Sequence, residues 1–203
     1  SDFWDAYELL QKFPMEDGSM PAEPPANDGW APRFVKDWTI DDFKSDLTAA
    51  SAKGRSFEQG KLAFDRLGCV QCHKIKDAVG ALGPDLTKVF EKYKGNRAEV
   101  LTHILEPSKV VEDKYKAVAI ETVDGDRLIG LVTARDKEHL MIVTNPQVPE
   151  SRKVLLADID DERVVPLSLM PQDLLNLLTK QQVLDLLAYI EAGGNAKHAV
   201  FGK

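Results

Sequence analysis

Apolar residues recur at helical spacing in three segments of the chain. Helices are predicted over residues 56–67, 96–105 and 179–192, because each segment has an apolar stripe. Ser56 and Thr179 are typical N-caps for the first and the last of them. A further helix start is predicted at Thr39, which precedes two acidic residues. The last helix is the most strongly amphipathic of these, and Gly193 ends it.

The pattern changes near Lys116, where short β-branched runs replace helical spacing. The runs are KAVAIETV, RLIGLVTA, HLMIVTN, RKVLLA and RVVPL, and turn residues separate them. Asp124 and Gly125 form a hairpin signal between the first two runs. Five short strands within about fifty residues predict a small twisted sheet or barrel.

The order of these elements predicts an interrupted domain. Residues 1–37 are rich in Pro, Gly, Asn and Asp and are predicted to be a tail or linker. The helical segments 38–115 and 166–195 form one predicted domain. The strands 116–165 form a module inserted into it, and residues 196–203 are a C-terminal tail.

Composition is ordinary for a globular protein: 203 residues, 43% hydrophobic and 29% charged, with a net charge of −7. No apolar run approaches the 18 residues of a membrane span, and the mild acidity argues against nucleic acid as the main partner. Residues 53–116 carry a net charge of +4, whereas residues 1–52 and 117–203 carry −7 and −4. The chain begins without an initiator Met, and we expect a mature or excised fragment whose targeting signal is absent.

The candidate chemistry lies in the sequence GCVQCHK, which contains Cys69, Cys72 and His73. This spacing is compatible with a zinc site, a redox dithiol or covalently attached haem. A structural zinc site needs four ligands, and the other three histidines of the chain stand singly. A redox dithiol is typical of a helix start that follows a strand, whereas here a predicted helix precedes the motif. The sequence therefore favours haem.

The spacing suits haem because Cys69 and Cys72 lie one helical turn apart. Each thiol is placed to form a thioether with a haem vinyl group, and His73 is placed to bind the iron. An iron-bound histidine needs an acceptor for its other N–H, and an electron-transfer haem commonly has a methionine as its sixth ligand. The segments GALGPDL (80–86) and Met170-Pro171 offer both.

Taken together, these three pieces resemble small class I single-haem cytochromes c. The resemblance implies that helix 56–67 packs on helix 179–192, that the Pro84 carbonyl accepts a hydrogen bond from His73 Nδ1, and that Met170 is the sixth iron ligand. The fold class expected from it is a mainly α cytochrome c fold with an inserted small all-β module, an SH3-like barrel or twisted sheet, hence α+β overall.

His73 and Met170 are 97 positions apart, which is more than a small cytochrome c needs. The fuller pattern resembles the haem-binding domain family described from planctomycetes and verrucomicrobia. The matching stretches are WTIDDF, GRSFEQGKLAFDRLGCVQCH, GPDLT, ILEPSKVVEDKYKAVAIETVDGDRLIGLV, ADIDDERVVPLSLMP and LTKQQVLDLLAYI. In that family the domain often lies C-terminal to other modules, such as dehydrogenase-like domains.

The predicted function is one-electron transfer by a c-type cytochrome with one haem c, ligated by His73 and Met170, and not catalysis. Redox proteins, or a fused or associated dehydrogenase module, are the expected partners, and the periplasm is the expected location. Two alternatives remain: a haem sensor or peroxidase-like protein with a displaceable sixth ligand, and an assembly module whose redox role is secondary.

Other candidates have more ordinary interpretations. His103 is a second candidate for the sixth ligand, and Arg66, Arg97 and Lys109 are candidate partners of the haem propionates. Trp38 and Tyr115 either flank the haem or only pack in the core. The acidic segment 157–162 lacks the spacing of a calcium loop and is predicted to be a solvated turn.

Overall fold

The structure is a computed structural model that describes residues 34–48, 53–78, 80–146 and 150–202. Most of the predicted N-terminal tail, residues 1–33, lies outside these described residues. Of that tail, only residues 34–37 are described.

Five α-helices occur in the described residues: α1 (Phe57–Arg66), α2 (Cys69–Cys72), α3 (Val89–Lys92), α4 (Arg97–Leu105) and α5 (Lys180–Glu191). The five 3₁₀ turns described are Ile40–Phe43, Asp113–Tyr115, Leu156–Asp158, Leu174–Leu177 and Ala199–Phe201. Ser56, Asn96 and Thr179 each accept a hydrogen bond from the backbone N–H three residues later. Helices α1 and α5 therefore begin at their predicted caps, and α4 begins where its apolar pattern predicts. Thr39 begins only a 3₁₀ turn.

The five predicted strands form one antiparallel sheet. They are β1 (Lys116–Thr122), β2 (Arg127–Arg135), β3 (His139–Val143), β4 (Arg152–Leu155) and β5 (Ile159–Ser168). The order is β4-β3-β2-β1-β5, so the first four strands form a meander and β5 returns to pair with β1. One face packs an apolar core that alternates along the strands, made of Val118, Ile120, Leu140, Ile142 and Val154.

The expectation of a mainly α cytochrome c fold is wrong. Only 35% of the described residues are helical, an ordinary share for a soluble protein, and the fold is α+β with one five-stranded antiparallel sheet. The helices stay short because turn residues interrupt them. Gly68 and Gly95 take positive φ values of 73° and 75°, which only glycine adopts without strain, and Pro107 follows α4.

Helices α1 and α5 pack directly against each other, as the resemblance implies. A Cβ atom at Gly60 would lie 2.2 Å from the carbonyl oxygen of Asp185, so only glycine fits at this point of α1. The ring of Tyr189 contacts both Phe57 and Phe64, with centroid distances of 5.4 Å to each. The crossing therefore combines close backbone contact with an aromatic cluster.

The C-terminal residues also pack on this helix pair. Phe201 meets Phe57 edge-on with the ring centroids 5.4 Å apart, and Val200 is buried against Ala188 and Ala192. Part of the predicted C-terminal tail thus belongs to the same core. The division into domains at residues 38, 116, 166 and 196 stays a prediction.

Asp185 is a buried carboxylate at the crossing. It is only 3% exposed, and it accepts hydrogen bonds from the Ser56 N–H and from Gln181 Nε2, each at 3.1 Å. Burial raises the pKa of Asp185 above its ordinary 3.8, and the two hydrogen bonds and Arg55 oppose this only in part. The ionised carboxylate is therefore less stable in the folded chain than in the unfolded one.

We expect Asp185→Asn to become more stable relative to the native protein as the pH rises from about 4 to about 7. The folded-state pKa lies above the unfolded one, so the native protein loses stability as Asp185 ionises. An asparagine still offers an oxygen to the Ser56 N–H but has no charge to ionise. Urea unfolding of both proteins across this pH range measures the difference, and a difference that is constant or shrinks with rising pH would contradict the prediction.

Candidate haem-binding site

The Cys/His motif follows α1 through a single turn. The N–H of Leu67 closes α1 on the Ala63 carbonyl, and Gly68 reverses the chain in a left-handed conformation. Cys69–Cys72 then form one helical turn, which the His73 N–H closes on the Cys69 carbonyl at 2.9 Å. This turn places both sulfur-bearing residues and the histidine within one short segment, as the spacing predicts.

Both cysteines are free thiols. Burial raises the pKa of the Cys69 thiol to about 12 and also raises the pKa of Cys72. A redox dithiol works through a thiolate whose pKa is lowered, so these environments count against that interpretation. No group of three or more His, Cys, Asp or Glu side chains that could hold a metal ion occurs in the part of the chain that the structure describes.

The His73 ring is held by one hydrogen bond. Its Nδ1 lies 3.0 Å from the Pro84 carbonyl oxygen, the contact that the resemblance implies. A carbonyl oxygen only accepts, so Nδ1 carries the proton and Nε2 keeps a lone pair. Burial lowers the pKa of His73, and the bond to Pro84 opposes this shift without cancelling it. At neutral pH the imidazole is therefore in the neutral form that binds metals.

The loop from Gly80 to Thr87 wraps closely around the motif. The Gly83 N–H donates to the Cys72 carbonyl at 2.8 Å, and the Leu86 N–H donates to the Lys74 carbonyl at 2.7 Å. A Cβ at Gly83 would lie 2.7 Å from Cε1 of His73. The resemblance implies a role in this loop for Pro84 but none for Gly83. A glycine directly before the proline is nevertheless a signal of close backbone approach.

Gly80 makes a similarly close approach. A Cβ there would lie 2.5 Å from the His73 backbone nitrogen and 2.5 Å from the carbonyl carbon of Cys72. The connection between β3 and β4 also reaches the motif, because the Pro146 carbonyl oxygen lies 3.9 Å from Cys72 Sγ. The sequence offered no signal for this contact between the sheet and the motif.

Met170 is placed by a different set of contacts. It lies two residues after β5, and its N–H donates to Ser168 Oγ at 3.1 Å. The N–H of Ser168 in turn donates to Ser108 Oγ at 3.1 Å. Hydrogen bonds join His73 to Pro84 and Cys72 to Gly83, so the structure brings these predicted site residues together. The role of Met170 as an iron ligand stays a prediction.

The other candidate residues have structural partners. The ring of His103 lies against Tyr93 with centroids 5.0 Å apart, and Arg97 forms a two-pronged ion pair with Glu191. Lys109 pairs with Glu106 at 3.0 Å. These contacts explain the residues without a haem.

The remaining candidates are two aromatic residues, one arginine and the acidic segment, and each has an ordinary place in the fold. Trp38 packs on Phe43 with ring centroids 5.1 Å apart, and Tyr115 lies beneath the Lys114 ammonium. Arg66 is an exposed residue near the end of α1. Residues 157–162 enter the 3₁₀ turn Leu156–Asp158 and the start of β5, and only Ile159 among them is partly buried, which agrees with a solvated acidic segment.

No protein-family model matches this sequence, and no curated protein matches it either. The resemblance to the planctomycete and verrucomicrobial family therefore stays a prediction. None of the described helices is long and apolar enough to cross a membrane.

The residues present fit a covalently attached haem. Two free thiols stand one turn apart, the adjacent imidazole is neutral with its Nε2 lone pair available, and its other nitrogen is fixed by a carbonyl. Glycines at positions 80 and 83 leave room for the loop to lie against the histidine where any side chain would collide. This combination is what a haem c site requires of the polypeptide.

We expect Gly83→Ala to displace the His73 ring and to destabilise the protein by about 1–3 kcal/mol, because a methyl group would overlap the imidazole. The NMR signals of the His73 ring should shift as its bond to Pro84 is lost, and urea unfolding measures the stability. Ala81→Ser, at an exposed position of the same loop, is the control. A Gly83→Ala protein that keeps the native His73 signals would contradict the geometry.

Proposed function

We propose that this protein is a c-type haem protein that carries or relays single electrons. The term refers here to covalent attachment of the haem and not to a fold. One observation carries the proposal. The Cys69–Cys72 turn leads into a neutral His73 whose Nδ1–H is bonded to the Pro84 carbonyl, which leaves Nε2 as the free ligand atom.

The roles of the residues follow from their chemistry. Cys69 and Cys72 would hold the haem through thioethers, and His73 Nε2 and Met170 sulfur would bind its iron. The bound haem supplies an iron that changes its oxidation state by one electron. With His73 and Met170 as ligands, the iron would offer no open position to a substrate, so we assign the protein a carrier role and not an enzymatic one.

Absorption spectra of the protein produced in a host that attaches haem c provide the test. We expect one haem that stays on the chain after denaturation, and a reduced spectrum typical of six-coordinate low-spin iron. Met170→Ala should lose that spectrum, lower the reduction potential and bind carbon monoxide rapidly, because a methionine ligand favours the ferrous state and fills the sixth position.

Met141→Ala is the matched control, since Met141 is also partly buried but lies in β3. Haem that acid solvent extracts from the chain would refute covalent attachment. A Met170→Ala spectrum identical to the native one would refute the ligand assignment. Rapid carbon monoxide binding to the native reduced protein would favour the sensor or peroxidase-like alternative.

The surface charge supports an anionic redox partner. Lys76, Lys88 and Lys94 are exposed and have no ion-pair partner among the described residues. They lie in the segment around the motif that carries the net charge of +4. We propose that donor and acceptor proteins meet this surface through acidic groups, and that the protein works in the periplasm, where haem c attachment is completed.

We expect oxidation of the reduced protein by ferricyanide, an anion, to slow as salt concentration rises, and oxidation by a cationic cobalt complex not to slow. Replacing Lys76 and Lys88 with glutamate should weaken the salt dependence of the ferricyanide reaction. Replacing Lys137, an exposed residue of the β2–β3 turn, should leave it nearly unchanged. Equal salt dependence for both reagents would show that this surface does not steer partners.

A further inference from the structure

A short N-terminal strap, residues 34–38, is hydrogen-bonded to the segment that carries Met170. We define the Met170 loop as residues 169–179, between the end of β5 and the start of α5. The loop contains the 3₁₀ turn Leu174–Leu177, and the strap contacts the chain at this turn. Residues 34–37 of the strap belong to the segment that the sequence predicts to be a tail or linker, and Trp38 is the first residue of the predicted helical domain.

Asn176 is the centre of this contact. It is 6% exposed, and its backbone carbonyl accepts the Val35 N–H at 2.7 Å. Its side-chain Oδ1 accepts the Trp38 N–H at 3.2 Å, and its Nδ2 donates to Asp37 Oδ1 at 2.9 Å and to Asp173 Oδ1 at 3.3 Å. The Lys36 N–H also donates to the Asn176 carbonyl, at 3.4 Å. Both donors and the acceptor of the buried amide are thus satisfied, and the strap makes four hydrogen bonds to Asn176 in all.

Trp38 adds a second attachment. Its Nε1–H donates to the Leu178 carbonyl at 3.0 Å, and its ring packs on Phe43. The strap therefore bonds the Met170 loop at two carbonyl groups and one amide, from Asn176 to Leu178. The buried side chains of Leu175 and Leu178, which are 2% and 0% exposed, also anchor the part of the loop that follows Met170.

The position of this contact matters for the sixth iron ligand. Movement of the loop would carry Met170 away from a haem iron, and β5 and α5 fix the two ends of the loop. The strap bonds the loop between Met170 and α5, so movement of that part breaks hydrogen bonds of a buried amide. Such bonds are costly to leave unmade, which makes the strap a barrier to loop opening.

We propose that the strap is a clamp on the Met170 loop, with Asn176, Asp37 and Trp38 as positioning residues that determine how readily the sixth ligand dissociates. This inference rests on the proposed function, because it assigns a role relative to an iron-bound Met170. It also supplies a physical distinction between a carrier and a sensor. A tight clamp keeps the sixth position filled, and a loose clamp opens it.

The rate of carbon monoxide binding to the reduced protein measures loop opening. We expect Asp37→Ala and Trp38→Phe, each of which removes one hydrogen bond, to raise this rate about fivefold. Asn176→Ala, which removes the whole side-chain amide, should raise it about ten- to hundredfold. Asp37 is exposed, so its variant tests the clamp without disturbing a buried position.

Asp126→Ala is the matched control, because Asp126 is also an exposed carboxylate with one side-chain partner, Arg152 at 3.2 Å. Its rate should equal the native one. Amide hydrogen exchange of residues 169–178 is a second measurement that does not depend on iron. Exchange in this segment should rise in the three strap variants and not in the control.

Native protein and Met170→Ala are measured first, so that the two ideas fail separately. If the native protein has no haem or no Met170 ligation, the proposed function fails, and exchange alone then decides whether the strap holds the loop. If Met170 is a ligand but the strap variants bind carbon monoxide at the native rate, the buried leucines hold the loop and the clamp is refuted, whatever the exchange shows.

Discussion

The crossing of helices α1 and α5 is the constraint on which the rest of the structure depends. At Gly60 the two backbones approach so closely that the carbonyl of Asp185 occupies the place of a side chain. The C-terminal end of α1 leads within three residues to Cys69, and the N-terminal end of α5 follows the Met170 loop. One contact between distant parts of the chain thus joins the helix that leads to the cysteines to the helix that follows the methionine.

Close backbone approach at glycine residues also occurs at the Cys/His motif. The loop after His73 holds the imidazole through a proline carbonyl and reaches it only because Gly80 and Gly83 have no side chains. Burial keeps the imidazole neutral and the thiols protonated. The environment that makes the cysteines poor redox thiols is therefore consistent with cysteines whose sulfur atoms serve in covalent bonds.

Local patterns predicted local structure well. The N-caps Ser56 and Thr179 and the period-two strands were readable because each depends on residues a few positions apart. The overall fold class was not readable in the same way. The longest helices lie where they were predicted, but the five-stranded sheet and the connections between elements take up more of the chain than a mainly α fold allows.

At the candidate site, too, the local spacing was predictable and the contacts between distant residues were not. The Cys69, Cys72 and His73 spacing is a property of the sequence, whereas the bond from His73 to Pro84 came from a resemblance and not from any pattern. The strap could not be predicted at all. Asn176 bonds to Asp37 and Trp38, which lie more than a hundred positions away, and no periodicity marks such a contact. Only the structure shows that Asn176 is buried, and a buried amide needs hydrogen-bond partners.

The carrier and sensor interpretations differ by one free energy, that of opening the Met170 loop. Every 1.4 kcal/mol, or about one good hydrogen bond, changes the ratio of closed to open loop roughly tenfold. The closed loop is stabilised by the hydrogen bonds of Asn176 and Trp38 and by the burial of Leu175 and Leu178. Because several independent contacts favour the closed loop, an open sixth position would need an input that releases them together. The structure holds such contacts at the strap, which agrees with the proposed carrier role.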